Sequence, residues 1–195
     1  MIVLASTSAA RAAMLHAAGV AFEAIGAAVD EDAVKAGLIG EPPLQVADAL
    51  AELKAVKLSV RYPDRLVLGS DQLLIAADGA LLDKPRDRAA AAAQLRALSG
   101  TGHRLVSAAV VADAGRAVWR GHGEAQLTMR PLSEAFIATY LDAEGDEILG
   151  CVGSYRVEGR GAQLFTRIEG DHFVVQGLPL LAVLGYLRVR GALAS

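Results

Sequence analysis

At 195 residues the chain suffices for one domain, or for two small lobes sharing a core. Hydrophobic residues make up 53% of it, rich in alanine and poor in aromatics, which excludes a disordered chain and points to a core of Leu, Val and Ala. A formal net charge of −3 with no long run of either sign argues against a partner such as duplex DNA, which asks for a basic face, yet leaves room for a small polyanion held by local cations.

Cys151 is the sole cysteine, so no intrachain disulfide can form, which fits a reducing compartment. The apolar start Met1-Ile2-Val3-Leu4-Ala5 is too short for a secretory signal. No apolar stretch has the length to cross a bilayer. The expectation is a soluble, cytoplasmic protein with neither a membrane nor a nucleic-acid partner.

In chain order, residues 2–5 read as a buried strand running into hydroxyl residues, with a helix from Ser8 that stops at Gly19. Residues 20–25 suggest a second strand, and Val29-Asp30-Glu31-Asp32 an acidic loop. Pro42-Pro43 opens a helix over about 44–60, with Val46, Ala49, Leu50, Leu53 and Val56 as its apolar stripe. Tyr62-Pro63-Asp64 reads as a turn. Strand residues 66–69 and 73–75 flank a polar interruption at Ser70-Asp71-Gln72, and Asp78-Gly79 reads as a hairpin turn. An alanine-rich helix over 89–98 precedes two long antiparallel strands, 105–112 and 118–129. Then come a helix over about 133–142 capped by Ser133, a glycine-rich stretch over 150–161, a strand around 173–175, and a last helix after Gly177-Leu178-Pro179. The mixture lacks a strict βαβ rhythm, so an α/β fold with a mixed sheet is expected, and no linker marks a domain boundary.

Several positions could carry chemistry. Ser6-Thr7-Ser8 at a helix N-terminus, with Arg11 one turn in, forms either an anion site or an ordinary cap beside a surface arginine. Asp71 interrupts an apolar strand, a costly place for a carboxylate unless it is paired, bound to a metal, or satisfied by backbone N–H groups at a bulge. Lys84, stiffened by Pro85, and Lys54 are phosphate ligands or solvated lysines. Gly153 to Gly161 is neither a P-loop nor a dinucleotide fingerprint. Asp30-Glu31-Asp32 holds Mg²⁺ or is simply solvated. No His/Cys cluster has zinc spacing and no Gly-x-Ser-x-Gly elbow occurs, and His16, His103, His122 and His172 read as scattered surface or capping residues.

Taken in order, Leu4-Ala5-Ser6-Thr7-Ser8 with Arg11, Val29-Asp30-Glu31, Lys54-Ala55, Gly69-Ser70-Asp71-Gln72, Lys84-Pro85, Leu98-Ser99-Gly100 with His103, Gly153-Ser154-Tyr155, Glu158-Gly159, Gly170 and Gly177-Leu178-Pro179 resemble the Maf family of nucleotide pyrophosphatases. The resemblance runs from residue 2 to about residue 190. It implies a single domain of two α/β lobes around an elongated mixed sheet with a central cleft, similar in architecture to the inosine triphosphate pyrophosphatases, and often a homodimer. It also implies metal-dependent hydrolysis of a nucleoside triphosphate to monophosphate and pyrophosphate, with Mg²⁺, Mn²⁺ or Co²⁺. Asp71 matches the catalytic carboxylate that activates water and touches the metal, and Glu31 is the next metal ligand. Ser8, Arg11, Lys54 and Lys84 match the phosphate-binding positions. A nucleotide-binding regulator of septation is the non-enzymatic alternative.

The family divides by residues near the base, here Ala10, Gln72 and Glu158. The last two resemble the group that hydrolyses 7-methyl-GTP, whose delocalised positive charge a carboxylate at Glu158 can offset. Ala10 departs from the aromatic residue common there and Ala9 from the usual proline. A dTTP/UTP or broad preference is the alternative.

Overall fold

The computed structural model describes residues 1–194. Strands β1 (Ile2–Leu4), β2 (Phe22–Ala24), β3 (Val67–Ile75), β4 (Leu81–Leu82), β5 (Gly102–Asp113), β6 (Arg116–Met129) and β7 (Phe165–Gly170) form one mixed sheet in the order β2-β1-β3-β5-β6-β7, with β4 antiparallel on β3. Seven helices accompany it among the described residues: α1 (Ala9–Ala17), α2 (Glu31–Gly37), α3 (Pro43–Arg61), α4 (Arg88–Leu98), α5 (Glu134–Glu144), α6 (His172–Val175) and α7 (Leu180–Val189). This is the expected α/β class with a mixed sheet. No helix among the described residues is long and apolar enough to cross a membrane.

The chain clusters into two compact units. The first takes residues 1–72, 106–123 and the chain from His172 onward, the second residues 73–105 and 124–171. In the first, β1 pairs in parallel with β2 and β3, and its continuous apolar run is wholly buried, as a central parallel strand requires. Ile2, Leu4, Leu15, Leu68, Val183 and Leu187 share its core. In the second, Leu95, Leu98, Leu105, Leu127, Ile137 and Leu164 are buried, and β7 pairs antiparallel with the end of β6.

One close approach positions the site. A Cβ on Gly69 would lie 2.1 Å from the Ala51 carbonyl oxygen, so only glycine lets α3 seat directly on β3. The turn of α3 from Ala51 to Ala55, which carries Lys54, thereby lies against the strand carrying Asp71.

Several local expectations need correction. Residues 29–32 are no open loop: Asp30 caps α2 by accepting the Ala33 N–H at 3.0 Å, and Glu31 opens the helix. The buried face of α3 is Val46, Ala47, Leu50, Ala51, Lys54, Ala55, Leu58 and Ser59, while Leu53 is exposed and Ala49 and Val56 are only half-buried. The strand expected at 173–175 is the short helix α6, and the actual strand, β7, precedes it. Ser70-Asp71-Gln72 does not break β3, which runs through all three.

Candidate functional site

Asp71 sits in the middle of β3, 5% exposed, where an unpaired carboxylate would be costly. Its partner is Lys54, which lies on the buried face of α3. The Lys54 ammonium donates to Asp71 Oδ1 at 2.6 Å and also meets Glu31 Oε1 at 2.6 Å. One cation thus joins two carboxylates from different elements.

Arg11 stands on the buried side of α1. Its Nε donates to the Gly177 carbonyl at 2.8 Å and its Nη1 to Ser6 Oγ at 3.2 Å. Burial pushes the guanidinium down from its ordinary value, and the negative charges of Asp71 and Glu31 pull it back up. Arg11 therefore belongs to the same charge cluster. Ser8 caps α1, accepting the Arg11 N–H at 3.4 Å, and its own N–H donates to Ser6 Oγ at 3.2 Å. Ala10 is half-buried in the first turn of α1.

The neighbours of Asp71 turn to the segment before α7. Ser70 Oγ lies 2.8 Å from the Ala108 carbonyl and 3.0 Å from the Gly177 carbonyl. Gln72 Nε2 faces Ser107 Oγ at 3.2 Å and the carbonyls of Val174 and Val175 at 3.0 and 3.1 Å. Three acceptors around one amide end fix which atom is nitrogen. Ser6, Ser70, Ser107 and the Gly177 carbonyl were not singled out individually from sequence. Ser6, Ser70 and Gly177 lie in visible motifs and Ser107 in none; Ser6 contacts only the nearby Ser8 and Arg11, whereas the others meet chain far away in sequence.

Lys84 and Glu158 belong to the second unit, both exposed, in a loop after β4 and in the turn before the 3₁₀ stretch Arg160–Leu164. Both act electrostatically on the half-buried thiol of Cys151. Burial pushes that thiol up, Glu158 adds to the rise, and Arg156 and Lys84 oppose it. Arg156 is itself held by Glu144 at 3.0 Å and by Glu147. The structure thus gathers Ser8, Arg11, Glu31, Lys54, Asp71 and Gln72 in the first unit, and Lys84 with Glu158 in the second.

His103 is not a surface residue. It is 2% exposed, its Nε2 lies 2.7 Å from the Tyr155 hydroxyl, and burial lowers its pKa to about 4. Its ring packs beside Tyr155 and Phe165.

Among the described residues no group of three or more His, Cys, Asp or Glu side chains stands together as a metal cage. Glu31 and Asp71, both already facing the Lys54 ammonium, are the two carboxylates here that could hold a hard cation.

Residues 1–190 match the family model described as "Maf-like protein". The chain is 52% identical over 195 residues to a "Nucleoside triphosphate pyrophosphatase 1" of Jannaschia sp. (strain CCS1), covering 99% of this chain and 98% of that one. It is 50% identical over 192 residues to a "Nucleoside triphosphate pyrophosphatase" of Sphingopyxis alaskensis, covering 97% of each chain. It is 48% identical over 194 residues to a "7-methyl-GTP pyrophosphatase" of Rhizobium etli, covering 98% of this chain and 97% of that one.

Proposed function

The chain belongs to the Maf family, and from that premise we propose that it hydrolyses nucleoside triphosphates between the α- and β-phosphates, with 7-methyl-GTP the favoured substrate. The observation that carries this reading is the Lys54 ammonium shared by Asp71 and Glu31 beside the buried Arg11.

The formal charges of these four groups cancel. A triphosphate brings several negative charges into a neutral cluster, and more positive charge is needed to hold it. Lys84 is assigned to supply one such charge. A divalent cation (Mg²⁺, Mn²⁺ or Co²⁺) held by Glu31 and Asp71 would supply the rest and make a nearby water more acidic. Arg11 keeps guanidinium donors beyond those given to Gly177 and Ser6, and these take phosphate oxygens together with Lys54 and the Ser8 end of α1. Asp71 takes the proton of the attacking water, the water oxygen bonds to the α-phosphorus, and the bond to the bridging oxygen breaks to release pyrophosphate.

For the base, Glu158 is assigned to accept from the N1–H and N2–H of 7-methylguanine while offsetting its positive charge. The name of the Rhizobium etli relative supports this preference. Ala10 stands at a second of the positions that separate the family's groups.

A panel of triphosphates with each of the three metals, assayed for pyrophosphate, tests the reading. Pyrophosphate release fastest from 7-methyl-GTP is expected. Comparable turnover of UTP would overturn the base preference, and orthophosphate without pyrophosphate would overturn the cleavage position.

A further inference from the structure

The two residues flanking Asp71 do not share its surroundings. Ser70 reaches the Gly177 carbonyl between α6 and α7, and Gln72 reaches the last carbonyls of α6. The Gly177 carbonyl stands at the centre, approached by Arg11 Nε at 2.8 Å and by Ser70 Oγ at 3.0 Å. Ser70 has a single proton, shared between Gly177 and the Ala108 carbonyl at 2.8 Å, so it ties this turn to β5 as well. Gln72 secures the preceding residues. Both its amide protons are engaged by three acceptors, and Ser107 Oγ, which accepts from it, donates to the Val174 carbonyl at 2.9 Å.

Gly177 has φ of +99°, a conformation that side-chain-bearing residues rarely adopt. A Cβ there would stand 3.4 Å from both Arg11 Nη2 and Gln72 Oε1, so the turn lies between those two side chains. The carbonyl that orients the guanidinium is therefore itself oriented by Ser70 and Gln72.

We infer that Ser70 and Gln72 are positioning residues that hold the Gly177 carbonyl against Arg11, and that Gln72 affects substrate binding through this latch rather than by donating to the base. The inference rests on the reading of Arg11 as a phosphate ligand. With its amide protons turned to Ser107, Val174 and Val175, Gln72 has no donor left for a base edge, and its loss weakens the grip on the phosphates common to every nucleotide.

The test is a double-mutant cycle on the full-length protein, with KM and kcat measured for 7-methyl-GTP and UTP. Arg11→Lys keeps the charge but removes the Nε donor to Gly177. Ser70→Ala and Gln72→Leu are each expected to raise KM about five- to ten-fold, equally for both substrates, the size of one lost hydrogen bond. In the Arg11→Lys background each is expected to change KM less than about two-fold, because the atom they serve is gone. Full multiplication of the effects in that background would overturn the inference. So would a Gln72→Leu change confined to one base. Ser107→Ala serves as a second probe of the same latch if Gln72→Leu melts well below the wild type. Wild-type KM in Arg11→Ala would instead remove the phosphate role of Arg11 on which the inference stands.

Discussion

Replacing Lys54 by methionine keeps most of the side chain's length and volume and deletes its charge. In the folded protein Lys54 is the close cation of two carboxylates, with side-chain exposures of 8% for Asp71 and 39% for Glu31. Glu31 is partly exposed, so solvent screens its share of the loss. Asp71 is not, because β3 holds it inside. Removing one member of a buried pair costs about 3–5 kcal/mol, and the exposure of Glu31 places this case near the lower end, about 3 kcal/mol. For a chain of this size that corresponds to a melting point lower by about 6–12 °C. Adding Asp71→Asn to Lys54→Met removes the stranded charge and is expected to recover at least half of the loss. Thermal melts at neutral pH, followed by circular dichroism on the wild type, both single variants and the double, measure all of this. A Lys54→Met protein melting within about 2 °C of the wild type, or a double variant no better than the single, would refute the claim that Lys54 balances a buried Asp71.

Two further outcomes follow from the second unit. His103 is held neutral inside, its pKa lowered to about 4 from an ordinary 6.5, so the unfolded chain binds the proton first. Its contribution to stability is then complete above pH 6.5 and lost as pH falls toward 4, a change of about 3 kcal/mol. Urea unfolding across that range should show a flatter pH dependence for His103→Gln than for the wild type, and equal slopes would contradict the assignment. Glu158→Gln should lower kcat/KM for GTP as well as for 7-methyl-GTP, since both bases carry the N1–H and N2–H donors, and should lower the ratio of 7-methyl-GTP to GTP about ten-fold, because only the methylated base loses a partner for its positive charge. An unchanged ratio would show that the carboxylate does not read the methylated base.

Asp71 was legible because a carboxylate amid Leu and Ile is expensive, and its partner had to exist somewhere. Lys54 was harder to place. A stripe of apolar residues on α3 put Leu53 inside, whereas the helix turns Lys54 inward and leaves Leu53 at the surface, since the cation is needed at β3. Ser8 and Ser133 were readable as caps because capping depends on a few adjacent residues. The same logic applies to Asp30, where acidic neighbours suggested a loop although they suit the positive end of a helix. β7 escaped notice because residues 166–170 are all exposed, so its edge position leaves no apolar alternation. Phe173, Val174 and Val175 have strand propensity, yet they form α6, whose last carbonyls receive Gln72. The Arg11–Gly177 contact spans 166 positions of sequence, and its Gly-Leu-Pro signature indicates a turn without saying what the carbonyl serves.

The central claim is that Asp71 activates the water that cleaves the triphosphate, and Asp71→Asn tests it most directly. The substitution keeps shape and removes the base. Pyrophosphate release from 7-methyl-GTP is expected to fall by about 10²–10⁴, while a non-hydrolysable triphosphate analogue still binds within a few-fold of the wild type. Release within about two-fold of the wild-type rate would contradict it.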